Sequence, residues 1–271
     1  MDPNQVSNDH DITTHSMRQR WRKRGPETFP SPWSNAWGFD QYGLWQTFHF
    51  RDATQKMRFI AHGQFQMGSP TSEEDRQDHE IQHTVTISKG FWLGETPVSQ
   101  ALWQAVMANN PSAATETAIT TATDAVNSVT WDECQSFCQR LAAQLAGVVT
   151  KLPTEAQWEY ACRGGTSSAF ASDIASIDAP NPWGLQQMHG NVWEWCEDGL
   201  RQYTDAALTD PVLTDTTATS PQFEPTQQAS TLRIIRGGSH RDPIAFQRSA
   251  ARFGRPENTR SSNLGFRLCI L

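Results

Sequence analysis

The spacing of hydrophobic positions changes period several times along the chain, and each change marks an element. Met57-Arg-Phe-Ile-Ala-His-Gly-Gln-Phe-Gln-Met67 reads as two short strands around a turn at His62-Gly63. His83-Thr-Val-Thr-Ile-Ser88 alternates like a half-buried strand, and Phe91-Trp-Leu93 is expected to continue it past a glycine turn. The period then lengthens. Val98, Leu102, Ala105 and Val106 form a helical apolar stripe, with Pro97 at the first position and Asn110-Pro111 as the stop. Residues 112–128 are rich in Ala and Thr and read as loop. Thr130 and Glu133 have capping-box spacing, and Cys134, Phe137, Cys138 and Leu141 fall on one face of the helix they open. A third helix is predicted from Pro153-Thr154-Glu155 to Gly164-Gly165. Beyond it the pattern predicts mostly loop, with short strands at 232–235 and 266–270.

Ahead of the first strand, residues 26–50 crowd Pro30, Pro32, Trp33, Trp37, Tyr42, Trp45 and Phe48 together. Proline and glycine interrupt any regular period there, so the segment is expected to be irregular, its aromatics packing onto the strands and helices C-terminal to it. Residues 1–25 read as a flexible polar tail ending in Arg18, Arg20, Arg22, Lys23 and Arg24, a solvated arm or a docking arm for an acidic partner. Residues 26–271 are expected to form a single domain, with 26–54 as its aromatic-rich extension.

Composition narrows the class. In 271 residues, 11 Trp and 13 Phe stand against 3 Tyr, a supply of anchors suited to long ordered loops. The net charge of −7 argues against nucleic acid as a partner. No apolar run reaches the roughly 20 residues needed to span a bilayer, and the polar start has no leader pattern. Five scattered cysteines do not make a disulfide framework, and Cys134 and Cys138 read as core thiols rather than metal ligands. A cytoplasmic protein is expected.

Eight segments, in order, carry a resemblance. They are Met67-Gly-Ser-Pro70, Phe91-Trp-Leu-Gly-Glu-Thr-Pro-Val98, Leu152-Pro-Thr-Glu-Ala-Gln-Trp-Glu-Tyr-Ala161 and Asn181-Pro-Trp-Gly-Leu185, then His189-Gly-Asn-Val-Trp-Glu-Trp195, Arg236-Gly-Gly-Ser239, Arg248-Ser-Ala250 and Asn263-Leu-Gly-Phe-Arg267. Over residues 55–271 the chain resembles the formylglycine-generating enzyme (sulfatase-modifying factor) family. That resemblance implies an α+β, C-type lectin-like fold of low regular content, with antiparallel sheets, two or three helices and long loops. It also implies a bacterial source.

The family's oxidases hold copper(I) with a cysteine pair between the Gly-Gly-Ser and Asn-Leu-Gly-Phe-Arg motifs, soft thiolates being what that ion requires. Residues 240–256 contain no cysteine here. The resemblance further implies a possible calcium site at Gln187 and Glu194 by side chain and Gly190 and Val192 by carbonyl, with Gln187 standing where the family usually has Asp or Asn. Within the family the chain is similar to the variable proteins of diversity-generating retroelements, in which adenine-directed mutagenesis of Asn codons alters an exposed ligand-binding face between the same motifs. Such codons reach His, Arg, Asp, Ile, Ala, Phe, Gly, Ser and Thr but not Gln or Glu. His240, Arg241, Asp242, Ile244, Ala251, Phe253, Gly254, Arg255, Thr259 and Ser261 comply, whereas Gln247 and Glu257 do not.

The reading is a non-catalytic binder of a protein or other macromolecular ligand, its variable face mounted on a scaffold held by Arg236, Arg248 and Arg267. Two alternatives stand beside it. One is a cysteine-independent tailoring enzyme with His240, Asp242 and Glu257 as candidate acid or base groups. The other is a structural or signalling subunit whose basic tail docks a partner.

Overall fold

The computed structural model describes residues 24–112, 124–145, 148–176, 178–213 and 232–271. The tail foreseen at 1–25 and the loop foreseen at 112–128 lie mostly outside that set. Residues 26–50 depart from expectation. They form β1 (Ala36–Asp40) and β2 (Gly43–Phe50), which pair antiparallel and continue into β3 (Ala53–Ile60). Pro30 and Pro32 precede these strands instead of interrupting them. Along β2, Gln46, Phe48 and Phe50 alternate inward. Gln46 is tolerated in the core because its Oε1 accepts from the Ser31 N–H at 2.6 Å and its Nε2 donates to Ser31 Oγ at 3.0 Å. The foreseen aromatic packing is present, with Trp33 edge-on to both Phe48 and Trp92.

The two strands expected at 57–67 exist, but they diverge. β3 stays in the first sheet, whereas β4 (Gly63–Met67) pairs with β5 (His83–Ile87), itself joined in parallel by β9 (Leu208–Thr209). Residues 91–93 do not prolong β5. They form β6 (Phe91–Gly94), which returns to the first sheet and is buried on both faces. The single strand expected at 266–270 is two strands, β12 (Leu264–Phe266) and β13 (Cys269–Ile270), in different sheets. The break falls at Arg267, whose buried side chain bonds to Glu194 of a third strand. With β7 (Thr150–Lys151), the first sheet has the order β1-β2-β3-β6-β13-β7. The sheet that carries the site has the order β11 (Arg252–Pro256), β10 (Leu232–Arg236), β8 (Trp193–Gly199) and β12, with β12 parallel to β8. The hydrophobic pattern does not foresee strands β8 and β11.

Helix α1 (Gln100–Met107) begins later than Pro97 predicts. Ser99 is the cap, its hydroxyl accepting from the Leu102 N–H at 3.2 Å, while Val98 stays extended and donates its N–H to the Phe266 carbonyl. Helices α2 (Trp131–Ala142) and α3 (Glu155–Arg163) start where expected, each behind a complete capping box, Thr130 with Glu133 and Thr154 with Gln157. Each cap contributes about 1 kcal/mol. Burial pushes the Cys134 and Cys138 thiols well above their ordinary range, as befits core residues.

The core has two parts. Trp103 stacks on Phe137 at 5.4 Å with Phe266 edge-on to both, joining α1 and α2 to β12. Trp158 and Tyr160 of α3 close over Met67, Val85 and Ile87. The architecture is the α+β, loop-rich arrangement expected. No helix among the described residues is long and apolar enough to cross a membrane.

Candidate functional site

β10 ends in Gly237 and Gly238, both at positive φ (95° and 68°). This backbone, open to glycine at little cost, turns the chain out of the sheet into the segment 239–247 and back along β11. Asp242 pins that segment. It accepts from the Ser239 N–H at 3.0 Å, from the Ser239 hydroxyl, and from Trp193 Nε1 at 2.8 Å. Rings form the floor. Phe253 lies edge-on between Trp193 (5.2 Å) and Phe246 (5.1 Å).

The ten positions expected on the face separate into three groups. His240, Arg241, Ile244 and Arg255 are exposed, Ile244 by 50%. Asp242, Phe253, Thr259 and Ser261 are half-buried. Ala251 and Gly254 are buried and stand off the surface. The Ala251 carbonyl accepts from Arg236 at 2.7 Å, and a Cβ on Gly254 would sit 3.0 Å from Leu200 Cδ2. Phe253 and Arg255 point the same way because they are two residues apart on a strand. Arg241 donates to Ser262 Oγ at 2.8 Å, which joins the turn to the segment before β12.

Below this surface the arginines of the motifs are buried and paired. Arg236 donates to the carbonyls of Ser249, Ala250 and Ala251 and to Glu159. Arg248 reaches Glu80 through both of its terminal nitrogens (2.9 and 2.8 Å) and Glu73 at 2.6 Å. Arg267 holds Glu194 and three carbonyls. Arg252, which no motif singles out, forms a two-pronged bond with Glu155 at 2.6 and 2.9 Å. Burial would raise the Glu155 carboxyl, but Arg252 and Arg236 outweigh it and hold it down to about 2. Nearby Asp198 goes the other way, to about 7, through burial and then the Glu155 charge. Phe246 also escapes a reading by motif; with Phe253 it supplies both phenylalanines of the interval 240–256, the one cue available.

His240, Asp242 and Glu257 do not assemble into an acid–base group. His240 Nδ1 lies 2.9 Å from the Asn191 carbonyl, Asp242 is occupied by Ser239 and Trp193, and Glu257 faces Arg233 at 3.5 Å. The calcium set does not fit either. The Glu194 carboxylate is already paired with the buried Arg267 (3.0 and 2.9 Å) and accepts from Trp158 Nε1 (2.8 Å), so its charge is compensated and the set offers a hard cation no free negative charge. Gln187 Oε1 accepts from Asn191 at 2.7 Å. Cys162 and His189 are adjacent, Sγ to Nε2 at 3.7 Å, but burial pushes the thiol up to about 12 and the imidazole down to about 4. A neutral thiol beside a neutral imidazole is an inert pair.

The geometry defines a C-type lectin-like scaffold with one strand-and-turn surface raised on buried ion pairs. The chain belongs to the family of the sulfatase-modifying factor enzyme 1-like domain, whose model matches residues 45–179 and 174–270. It is 28% identical over 232 residues to the formylglycine-generating enzyme of Bos taurus, covering 72% of this chain and 54% of that one. The chain spans about half the length of the curated relatives it matches first. Among solved structures it is similar to Treponema denticola variable protein 1, at a TM-score of 0.64 and 25% identity, covering 83% of this chain and 98% of that one. It also shares the fold of PvdO from Pseudomonas aeruginosa, at a TM-score of 0.69 and 22% identity, with coverage of 83% and 97%.

Proposed function

We propose that this chain is a ligand-binding protein whose face, built from the turn 240–246 and strand β11, is varied by a diversity-generating retroelement. The observation that carries the reading is the contrast in burial within one interval. His240, Arg241, Ile244 and Arg255 are exposed, while Arg236, Arg248, Arg252 and Arg267 beneath them are buried and paired. Side chains in the first group can change without disturbing the second, the division of labour that a variable binding surface needs. Likeness to a variable protein over 83% of the chain supports the same reading. The ligand is a protein or other macromolecule, met by a preorganised surface with an aromatic centre and arginine margins.

Sequencing the gene across a cell population tests the proposal. Substitutions should concentrate at codons 240, 241, 244, 253, 255, 259 and 261, should replace adenines only, and should match a nearby template repeat. Codons 242, 251 and 254 should stay constant, since Asp242 anchors the turn and the other two are buried. Variation spread evenly over surface codons, or none together with no template repeat, would overturn it.

A further inference from the structure

Away from that face, the outer edge of the first sheet carries a two-chambered cleft. One chamber, of about 280 Å³, is lined by Phe39, Tyr42, Phe59 and Pro182. The other, of about 350 Å³, is lined by Gln64, Gln66, Gln82, Thr166 and Ser167. The two share a wall of Arg24, Tyr160 and Trp183. Each volume is near the lower end of the range for small-molecule sites, about 300–1,000 Å³. Neither chamber includes any residue of the interval 240–261.

The wall is fixed. Tyr160 donates its hydroxyl to the Ala61 carbonyl at 3.1 Å and stands edge-on to Trp183 at 4.9 Å. Gly63 leaves the space for this, because a Cβ there would lie 2.3 Å from the Tyr160 oxygen. The amides of Gln64 and Gln66 are held by Thr86 and Thr84 at 3.2 and 3.0 Å, so the polar chamber is also organised in advance. Phe39, on the outer strand, is 37% exposed at the mouth.

The charges are one-sided. In a chain of net charge −7, no carboxylate among the described residues lines either chamber, and none of them pairs with Arg24. A guanidinium without a carboxylate partner among the described residues, set between an aromatic chamber and an amide chamber, selects for an anion attached to a flat apolar group. We propose that this cleft binds a small aromatic carboxylate. Its ring lies against Trp183, Tyr160 and Phe39, and its carboxylate meets Arg24 at the junction.

Calorimetric titration of the full chain with indole-3-acetate, and with uncharged 3-methylindole for comparison, tests this. The acid should bind more tightly than the neutral ring. Arg24→Gln should weaken the acid by about tenfold and leave the neutral ring unchanged, since one charge-assisted pair is lost. Phe39→Ser should weaken both, and Arg255→Gln, in the other face, neither. Arg24 and Phe39 are surface positions, so unchanged melting of each variant accompanies the titrations. Absence of binding by the acid, an acid affinity indifferent to Arg24→Gln or Phe39→Ser, or sensitivity to Arg255→Gln would overturn the proposal.

Discussion

Arg267 holds Glu194 by both carboxylate oxygens, Nε to Oε2 at 3.0 Å and Nη2 to Oε1 at 2.9 Å, with neither side chain exposed. Its remaining N–H groups go to the carbonyls of Gly94, Glu95 and Gln186, at 2.7 to 2.8 Å. One guanidinium thus joins β6, the segment before β8, and β8 itself. Arg267→Met strands the Glu194 charge and is expected to cost about 3–5 kcal/mol by urea unfolding. Arg267→Lys keeps the charge but loses the fork, and should recover only part of that loss.

The face itself should tolerate change unevenly. Replacing His240, Arg241, Ile244 and Arg255 together by alanine is expected to move stability by no more than about 1 kcal/mol, because exposed positions contribute little. Asp242→Ala alone should cost about 1–3 kcal/mol, since it leaves Trp193 Nε1 and the Ser239 N–H without their acceptor. Thermal melts of the two variants side by side check both statements.

His189 should govern part of the acid response. Its Nδ1 lies 2.7 Å from the Gln247 carbonyl and its Nε2 accepts from the Ala171 N–H at 3.0 Å, so the fold holds the neutral ring. Burial, ahead of a rise from the Gln247 bond, lowers it from 6.5 to about 4. A depressed base contributes stability that is present above pH 6.5 and lost as pH falls through 4. Asp198, raised from 3.8 to about 7, acts oppositely, its contribution being lost as pH rises through 7. The check is therefore the difference between wild type and His189→Gln from about pH 7 to about 4, which should shrink toward the acid end.

Neither metal chemistry implied by the family resemblance should be found. With Glu194 occupied by Arg267, added calcium or a chelator should leave the melting temperature unchanged. With no cysteine at 240–256, incubation with copper, oxygen and a sulfatase-type cysteine peptide should give no formylglycine by mass spectrometry.

The described residues should also unfold as one unit. β13 lies between β6 and β7, and β12 adds to β8, so late segments complete sheets begun much earlier. A single calorimetric transition is expected, and proteolysis yielding two separately stable halves would contradict it.

How much of the molecule is legible in the sequence depends on how local each signal is. The capping box at Thr130, the helix start at Thr154 and the alternation of β5 are local signals of a few residues, and all three stand where expected. β8 is hidden because both of its faces are buried and Glu194 and Asp198 lie inside it, so no alternation survives. β2 is masked by the buried Gln46, whose partner Ser31 is fifteen residues away. At the site, the motif arginines are legible as scaffold, but their acidic partners are not. Glu73 and Glu80 lie more than 160 residues from Arg248, a distance no local pattern bridges. That Ala251 and Gly254 are buried and that Asp242 anchors the turn is likewise visible only in the packing and hydrogen bonds.

The placement of β13 bears on the order of events during synthesis. Its neighbours β6 and β7 leave the ribosome early, yet their shared hydrogen-bonding edges stay open until residue 270 has emerged. A nascent chain paused before that point presents β6, apolar on both faces, as an unpaired edge. Such an intermediate invites aggregation or chaperone capture. Closure of the first sheet therefore waits on a two-residue strand that follows both of its neighbours in the chain and sits in the interior of the sheet.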